Sequence, residues 1–249
     1  MDHLVYTAMA GASRTLEQQS VISNNLANVN TTGFRKQLSM YQAVPIVGRA
    51  GEQQTRASTA VSTPGSNMTQ GAMAETGAPL DLAIKGDGWF AVQTPEGEAY
   101  TRAGDLMINP DNLLVTATGL PVLSADNQTI EVPERGSITF SDDGTITALG
   151  AGDNPRDIQV LGELKLANPD VAALQRTDDG LFRLADGQPA PADPNVRIAQ
   201  GFLEKSNVSP AESMVGLIAN ARRFELQMKM IQDASSNAER ANGILSSNG

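Results

Sequence analysis

The chain has 249 residues with 18 Lys and Arg against 28 Asp and Glu, a formal charge of -10 and a pI near 4.6, so it offers no basic surface to a phosphate backbone and nucleic acid is excluded as an expected partner. Cysteine is absent and the one histidine is His3, which excludes a disulfide framework, a thiolate metal site and a cysteine nucleophile. No run approaches the ~18 apolar residues of a membrane span, and the acidity is concentrated in the middle: residues 61–200 hold 8 basic and 20 acidic side chains, whereas both ends are near neutral.

The N-terminal segment, residues 1–33, reads as a helix. Val5, Ala12, Gln19 and Leu26 recur every seven residues, and Ala8, Thr15, Ile22 and Val29 form a second series. Asp2 can cap the start and Gly33 can end it. Residues 4–12 are mostly apolar, but Asp2 and His3 stand where a secretory signal needs a positive flank. A protein of this sequence that leaves the cytoplasm is expected to need a route that reads no such signal. Residues 34–79 are rich in Gly, Pro, Ser, Thr and Gln and read as an extended connector.

Residues 80–205 show short β-rich runs at 80–84, 89–94, 113–117, 129–132, 137–140, 145–148, 158–166, 181–184 and 196–203, separated by Gly, Pro, Asp and Asn turn signals. An all-β domain of sandwich or barrel type is expected. Residues 206–249 form the C-terminal helix, started by Ser209 and Pro210 with Glu212 completing a capping box. Its seam reads as Leu217, Phe224, Ile231, Ala238 and Leu245, with Met214, Ala221, Met228, Ser235 and Asn242 as the second series. At 1.5 Å per residue it spans ~54 Å, longer than the core of a small domain. The fold class is thus α+β: long terminal helices pairing as a coiled-coil inner domain, with the all-β domain inserted between them. Apolar seams this thin need further helices to cover them. Val5, Ala8, Ala12, Ile22, Leu26, Val29, Met214, Leu217, Ala221, Phe224, Met228, Ile231, Ala238 and Leu245 are therefore the expected inter-subunit packing residues.

No catalytic, cofactor-binding or metal-binding residue is expected. The string Gly86, Asp87, Gly88, Trp89, Phe90, Ala91 has the spacing of a dinucleotide loop, but Trp89 to Thr94 reads as a strand and not a helix, so a tight strand-to-strand turn is expected. Asp142 with Asp143 and Asp178 with Asp179 each precede Gly and lack the alternating ligands of a calcium loop. They read as turns. A carbohydrate-active enzyme or adhesin using middle-domain carboxylates stays open as a reading of another class, since glycoside hydrolysis needs only two carboxylates across a cleft.

The string SNNLANVNTTGFR at 23–35 is different in kind, because four Asn within seven residues oppose helix propensity. It resembles the N-terminal signature of the flagellar basal-body rod and hook proteins, carried here by Asn24, Asn25, Leu26, Ala27, Asn28, Gly33 and Phe34. LDLAIKGDGWFAV at 80–92 with Tyr100, Thr101 and Arg102 resembles the start of that family's β domain. GFLEKSNVSPAESMVGLIANARRFELQ at 201–227 resembles its C-terminal signature, with Asn207, Val208, Arg222, Arg223, Phe224 and Glu225. Within the family the ends most resemble the proximal-rod branch, with a distal-rod or hook-like subunit as the alternative. The resemblance implies a non-enzymatic structural subunit that assembles helically with copies of itself and other rod proteins into a hollow, torque-bearing shaft crossing the periplasm. It also implies passage through the flagellar type III export apparatus, and no cofactor. Asn24, Asn25 and Asn28 would then make hydrogen bonds between subunits.

Overall fold

The computed structural model describes residues 2–39, 41–45, 57–61, 65–133, 137–149 and 158–247. In chain order its elements are α1 (Asp2–Ala27), β1 (Gln37–Leu38), β2 (Tyr41–Pro45), β3 (Ala57–Val61), β4 (Gly65–Ser66), β5 (Met73–Glu75), β6 (Leu82–Lys85), β7 (Trp89–Thr94), β8 (Gly97–Thr101), β9 (Leu106–Ile108), β10 (Leu114–Thr116), β11 (Ser137–Phe140), β12 (Thr145–Leu149), β13 (Gln159–Glu163), β14 (Leu166–Ala167), a 3-10 turn (Val171–Ala173), β15 (Leu174–Arg176), β16 (Phe182–Leu184), β17 (Arg197–Gln200), β18 (Phe202–Glu204) and α2 (Pro210–Ser247). The chain is α+β and divides into two units: residues 1–28, 36–67 and 208–249, and residues 29–35 and 68–207.

The first unit is built on the two helices, which pack against each other. α1 stops at Ala27, short of Gly33, for a local reason. The Asn28 side-chain amide donates to the Asn24 carbonyl at 2.9 Å, and the Asn28 N–H is shared between the carbonyls of Asn24 and Asn25. Side-chain competition of this kind is what makes Asn a poor helix interior and a good helix end. α2 begins at Pro210, whose missing N–H would have been unpaired there anyway. Ser213 Oγ then donates back to the Ser209 carbonyl at 2.9 Å. Within the stretch that reads as a connector, β1 pairs with β4 and β2 with β3, both antiparallel.

The second unit is β-rich. Its largest sheet has five strands in the order β14-β7-β8-β16-β15, antiparallel at each pairing. The β7–β8 hairpin turns through Pro95 and Glu96, with Gly97 at φ 117°. β11, β12 and β13 make a three-stranded antiparallel sheet, β6 pairs with β17, and β5 with β18. β8, β9 and β15 escape the sequence pattern, because each is short or carries polar residues in alternation with few apolar ones. Leu82, Ile84, Phe90, Val92, Leu114 and Ile146 lead the main core, each almost fully enclosed. Gly86 to Gly88 form the turn between β6 and β7, and a Cβ on Gly88 would lie 2.7 Å from a Val196 methyl, so backbone and side chain meet there directly.

Beside this core, Asp105 faces Asp81 across an antiparallel bridge. Burial, followed by the charge of Asp81, raises the Asp105 carboxyl above its ordinary range. A carboxyl raised on folding is fully accommodated only while protonated, and its contribution is lost as pH rises through the folded value. Asp105→Asn should therefore raise the melting temperature at pH 7, and the gain should shrink as pH falls towards 4. Thermal melts of both proteins across that range check this.

Candidate functional site

The site of a helical assembly unit is its packing surface, so the placement of side chains around α1 and α2 decides what the first unit can do. On α1, Ala8, Ala12 and Thr15 are buried. On α2 the buried residues are Ser213, Asn220 and Ala234, with Gln227 half-buried on the same seven-residue spacing. Asn220 Nδ2 donates to the Thr15 carbonyl at 2.7 Å, and Thr15 Oγ1 meets Gln227 Oε1 at 3.0 Å. A Cβ added at Gly216 would meet the Ile22 side chain at 3.4 Å. The helices meet along small and polar side chains, which allow close approach.

Met214 and Met228 are 56% and 41% exposed and Ala221 is exposed, whereas Asn220 and Gln227, one position before Ala221 and Met228, meet Thr15 of α1. Leu217, Phe224 and Ile231 are half-buried, as are Val5, Ile22, Leu26 and Val29. The side chains of Ala238 and Leu245 lie outside the described residues. Arg222, Arg223 and Glu225 are exposed on α2.

What the helices turn outward is apolar. Tyr6, Met9 and Leu16 on α1, and Met214, Val215, Ile218, Leu226, Met228 and Met230 on α2, are each more than 40% exposed. Tyr6, Met9 and Leu16 fall on one α1 face at helical spacing, and Val215, Ile218 and Leu226 on one α2 face. Isolated exposed apolar residues are ordinary, but stripes at helical spacing on paired helices mark an interaction surface.

The asparagines of the 23–35 string are partly spent inside the chain. Asn25 is buried and reads the Gln37 backbone like a paired strand, accepting from its N–H at 2.8 Å and donating to its carbonyl at 2.9 Å. Asn28 closes the end of α1, Asn24 is exposed, and Ala27 is exposed at the last helical position.

In the second unit the rest of the signature is gathered at one place. Gly33 has φ 67°, and a Cβ there would lie 2.3 Å from the Arg102 backbone, so no other residue fits without moving the chain. Phe34 is buried under Arg176, whose guanidinium lies 4.5 Å from the ring centre. The Asn207 N–H donates to the Phe34 carbonyl at 3.2 Å, and its side chain donates to the Thr69 carbonyl at 2.8 Å. In the first unit Val208, the next residue, is buried.

Three buried charges in the second unit escape residue-type reading, although all lie inside the quoted strings. Glu204 is fully enclosed. Its carboxylate accepts from Arg35 Nη1, from Arg102 Nη1 at 3.1 Å and from the Gly71 N–H at 2.8 Å. Both guanidiniums lie over the Trp89 ring, Arg35 at 5.8 Å and Arg102 at 5.4 Å. Burial lowers the Arg102 pKa to about 10 against the opposing charge of Glu204, so it stays cationic at neutral pH.

Several of the other carboxylates of this unit serve turns. Asp143 accepts from the Thr145 N–H, which holds its carboxyl below the usual range. Asp142 meets Lys85 at 3.2 Å. Asp170, Asp186 and Asp193 each accept from an N–H two residues on. Asp178 and Asp179 lie in the turn before Gly180. Among the described residues no group of three or more His, Asp and Glu could hold a metal ion, and no helix is long and apolar enough to cross a membrane.

Comparison with known proteins gives three family matches: "Flagella basal body rod protein" over residues 5–35, "Flagellar hook protein FlgE/F/G D1 domain" over 83–148, and "Flagellar basal body rod FlgEFG protein C-terminal" over 199–244. The flagellar basal-body rod proteins FlgF of Salmonella typhimurium and of Escherichia coli are each 47% identical over 253 residues, covering 99% of both chains in each case. The FlgG rod protein of Bacillus subtilis is 30% identical, covering 91% of this chain and 93% of its own.

Proposed function

The chain belongs to the family of flagellar basal-body rod proteins and is a structural subunit of the flagellar proximal rod, and from that premise we propose that it acts without catalysis, through its helix surfaces. α1 and α2 form a coiled-coil inner domain whose outward apolar stripes pack against copies of the chain and against other rod proteins. Repetition of that packing builds a hollow shaft that crosses the periplasm and transmits torque. The observation that carries this reading is the inversion of the helix pair: small and polar side chains face inward while Met9, Leu16, Val215, Ile218 and Leu226 face out. Inter-subunit packing then rests on those outward residues together with Met214 and Met228, while the half-buried Leu217, Phe224 and Ile231 serve both sides of α2. The chain reaches the rod through the flagellar type III export apparatus.

The absence of cysteine makes the test direct. Leu226→Cys should react rapidly with a maleimide in the purified protein and be protected in isolated basal bodies. Equal reactivity in both would show that this face is not an interface.

A further inference from the structure

Residues 29–35 belong to the β-rich unit, although sequence reading groups 29–33 with the N-terminal helix and 34–35 with the connector. This arm lies against the last residues of the same unit. The Gly33 N–H donates to the Glu204 carbonyl at 2.8 Å and the Asn207 N–H to the Phe34 carbonyl at 3.2 Å, so the 29–35 arm, which the chain leaves after Arg35, and the segment by which it leaves the unit after Asn207 run side by side. Two backbone bonds alone would fray, since short paired segments at a unit's edge open at small cost. The side chains around them do not fray.

From Phe34 inward, cations and rings alternate. The Arg176 guanidinium stands 4.5 Å from the Phe34 ring centre and 5.9 Å from that of Phe182, and its Nη1 donates to the Arg35 carbonyl at 2.6 Å. Phe182 packs on Trp89 with centroids 4.7 Å apart. Trp89 then lies beneath Arg35 and Arg102, which share Glu204. Two guanidiniums around one carboxylate leave an excess positive charge, and Arg35 Nε, Arg35 Nη2 and Arg102 Nε have no hydrogen-bond partner among the described residues. The electron-rich Trp89 face is the compensation at hand. Such a cluster is a poor source of net stability, because desolvation offsets most of its attraction, but it tolerates only one geometry.

We propose that Glu204 and Arg35 are positioning residues: their buried pair is a clasp that holds the 29–35 arm and the 204–207 segment of the β-rich unit together, so that two of the chain's crossings to the helical unit, after Arg35 and after Asn207, start from one fixed point. The proposal deepens the rod-subunit reading and rests on it for its consequence. A shaft that carries torque needs each β-rich unit fastened at its connections by more than two backbone bonds, and this clasp is the fastening.

Arg35→Met separates the clasp from general stability. Met keeps an unbranched apolar stem against Trp89, and Glu204 keeps Arg102 and the Gly71 N–H as partners, so no carboxylate is left unpaired. In hydrogen exchange on the full chain, the Gly33 and Asn207 amides of Arg35→Met should exchange at least about tenfold faster, with the β7–β8 amides unchanged, as expected of a local opening. Arg35→Lys, which keeps the charge and loses the planar fork, should show a smaller increase, and it serves as the test should the Met variant fail to fold. Swimming should fall in the same order. The proposal is overturned if exchange rises equally across the unit, if Gly33 and Asn207 are unaffected, or if they loosen while swimming stays normal. These outcomes are distinct from failure of the rod reading, which the Leu226→Cys labelling reports on its own.

Discussion

Glu204→Gln should lower the unfolding free energy of the full chain by about 3–5 kcal/mol, the cost of removing one partner from a buried ionic group. Glu204 is fully enclosed and is the carboxylate that both Arg35 and Arg102 meet. The carboxamide keeps the shape but has one accepting oxygen in place of two, and two buried guanidiniums then face each other without a countercharge. Against the ~5–15 kcal/mol that holds a typical domain together, this is a large fraction. Urea denaturation should show a lower midpoint with little change in slope. Arg35→Met removes charge and partner together and should cost less than Glu204→Gln. The reverse order would mean that Arg35, and not the carboxylate, is the hub.

Leu226→Asp should have the opposite profile. Leu226 is 64% exposed on α2, so in the isolated protein the change costs only a helix-propensity difference of ~0.5 kcal/mol. On the proposed packing the same position is covered in the rod, where an unpaired carboxylate should cost several kcal/mol at every copy. Motility should be lost while the melting curve and circular dichroism of the purified protein stay close to those of the parent. By contrast, Ile231→Asp strikes a half-buried residue and should disturb both. A Leu226→Asp protein that swims normally would remove this face from the assembly surface.

The contrast between Leu226 and Ile231 shows where sequence reading succeeds and where it stops. The seven-residue repeat identifies α2 and its Leu217, Phe224 and Ile231 series, because a long helix with one recurrent apolar stripe leaves few alternatives. Hydrophobicity alone assigns the second stripe to Met214, Ala221 and Met228. Within the helix pair Asn220 and Gln227 meet Thr15, and Ser213 and Ala234 are buried on the same spacing. In a subunit whose apolar residues serve neighbouring molecules, hydrophobicity marks the outer surface as readily as the inner seam.

The β-rich unit is legible as a class from its turn residues, yet strands such as β15, three residues long, carry no period to read. Arg35, Arg102 and Glu204 are invisible for another reason. Charged residues are exposed by default, and no local pattern announces that Arg35 and Glu204, 169 positions apart, will meet. Asn25 is anomalous on propensity, but its partner, the Gln37 backbone, lies beyond the helix end and cannot be named from spacing.

The decisive measurement is an image of isolated basal bodies at a resolution that traces helices. It should place this chain in the proximal rod, with α1 and α2 innermost and the side chains of Met9, Leu16, Ile218 and Leu226 enclosed by helices of neighbouring subunits. A rod in which those side chains face solvent, or basal bodies in which the chain lies outside the rod, would refute the assignment of these helix faces to assembly.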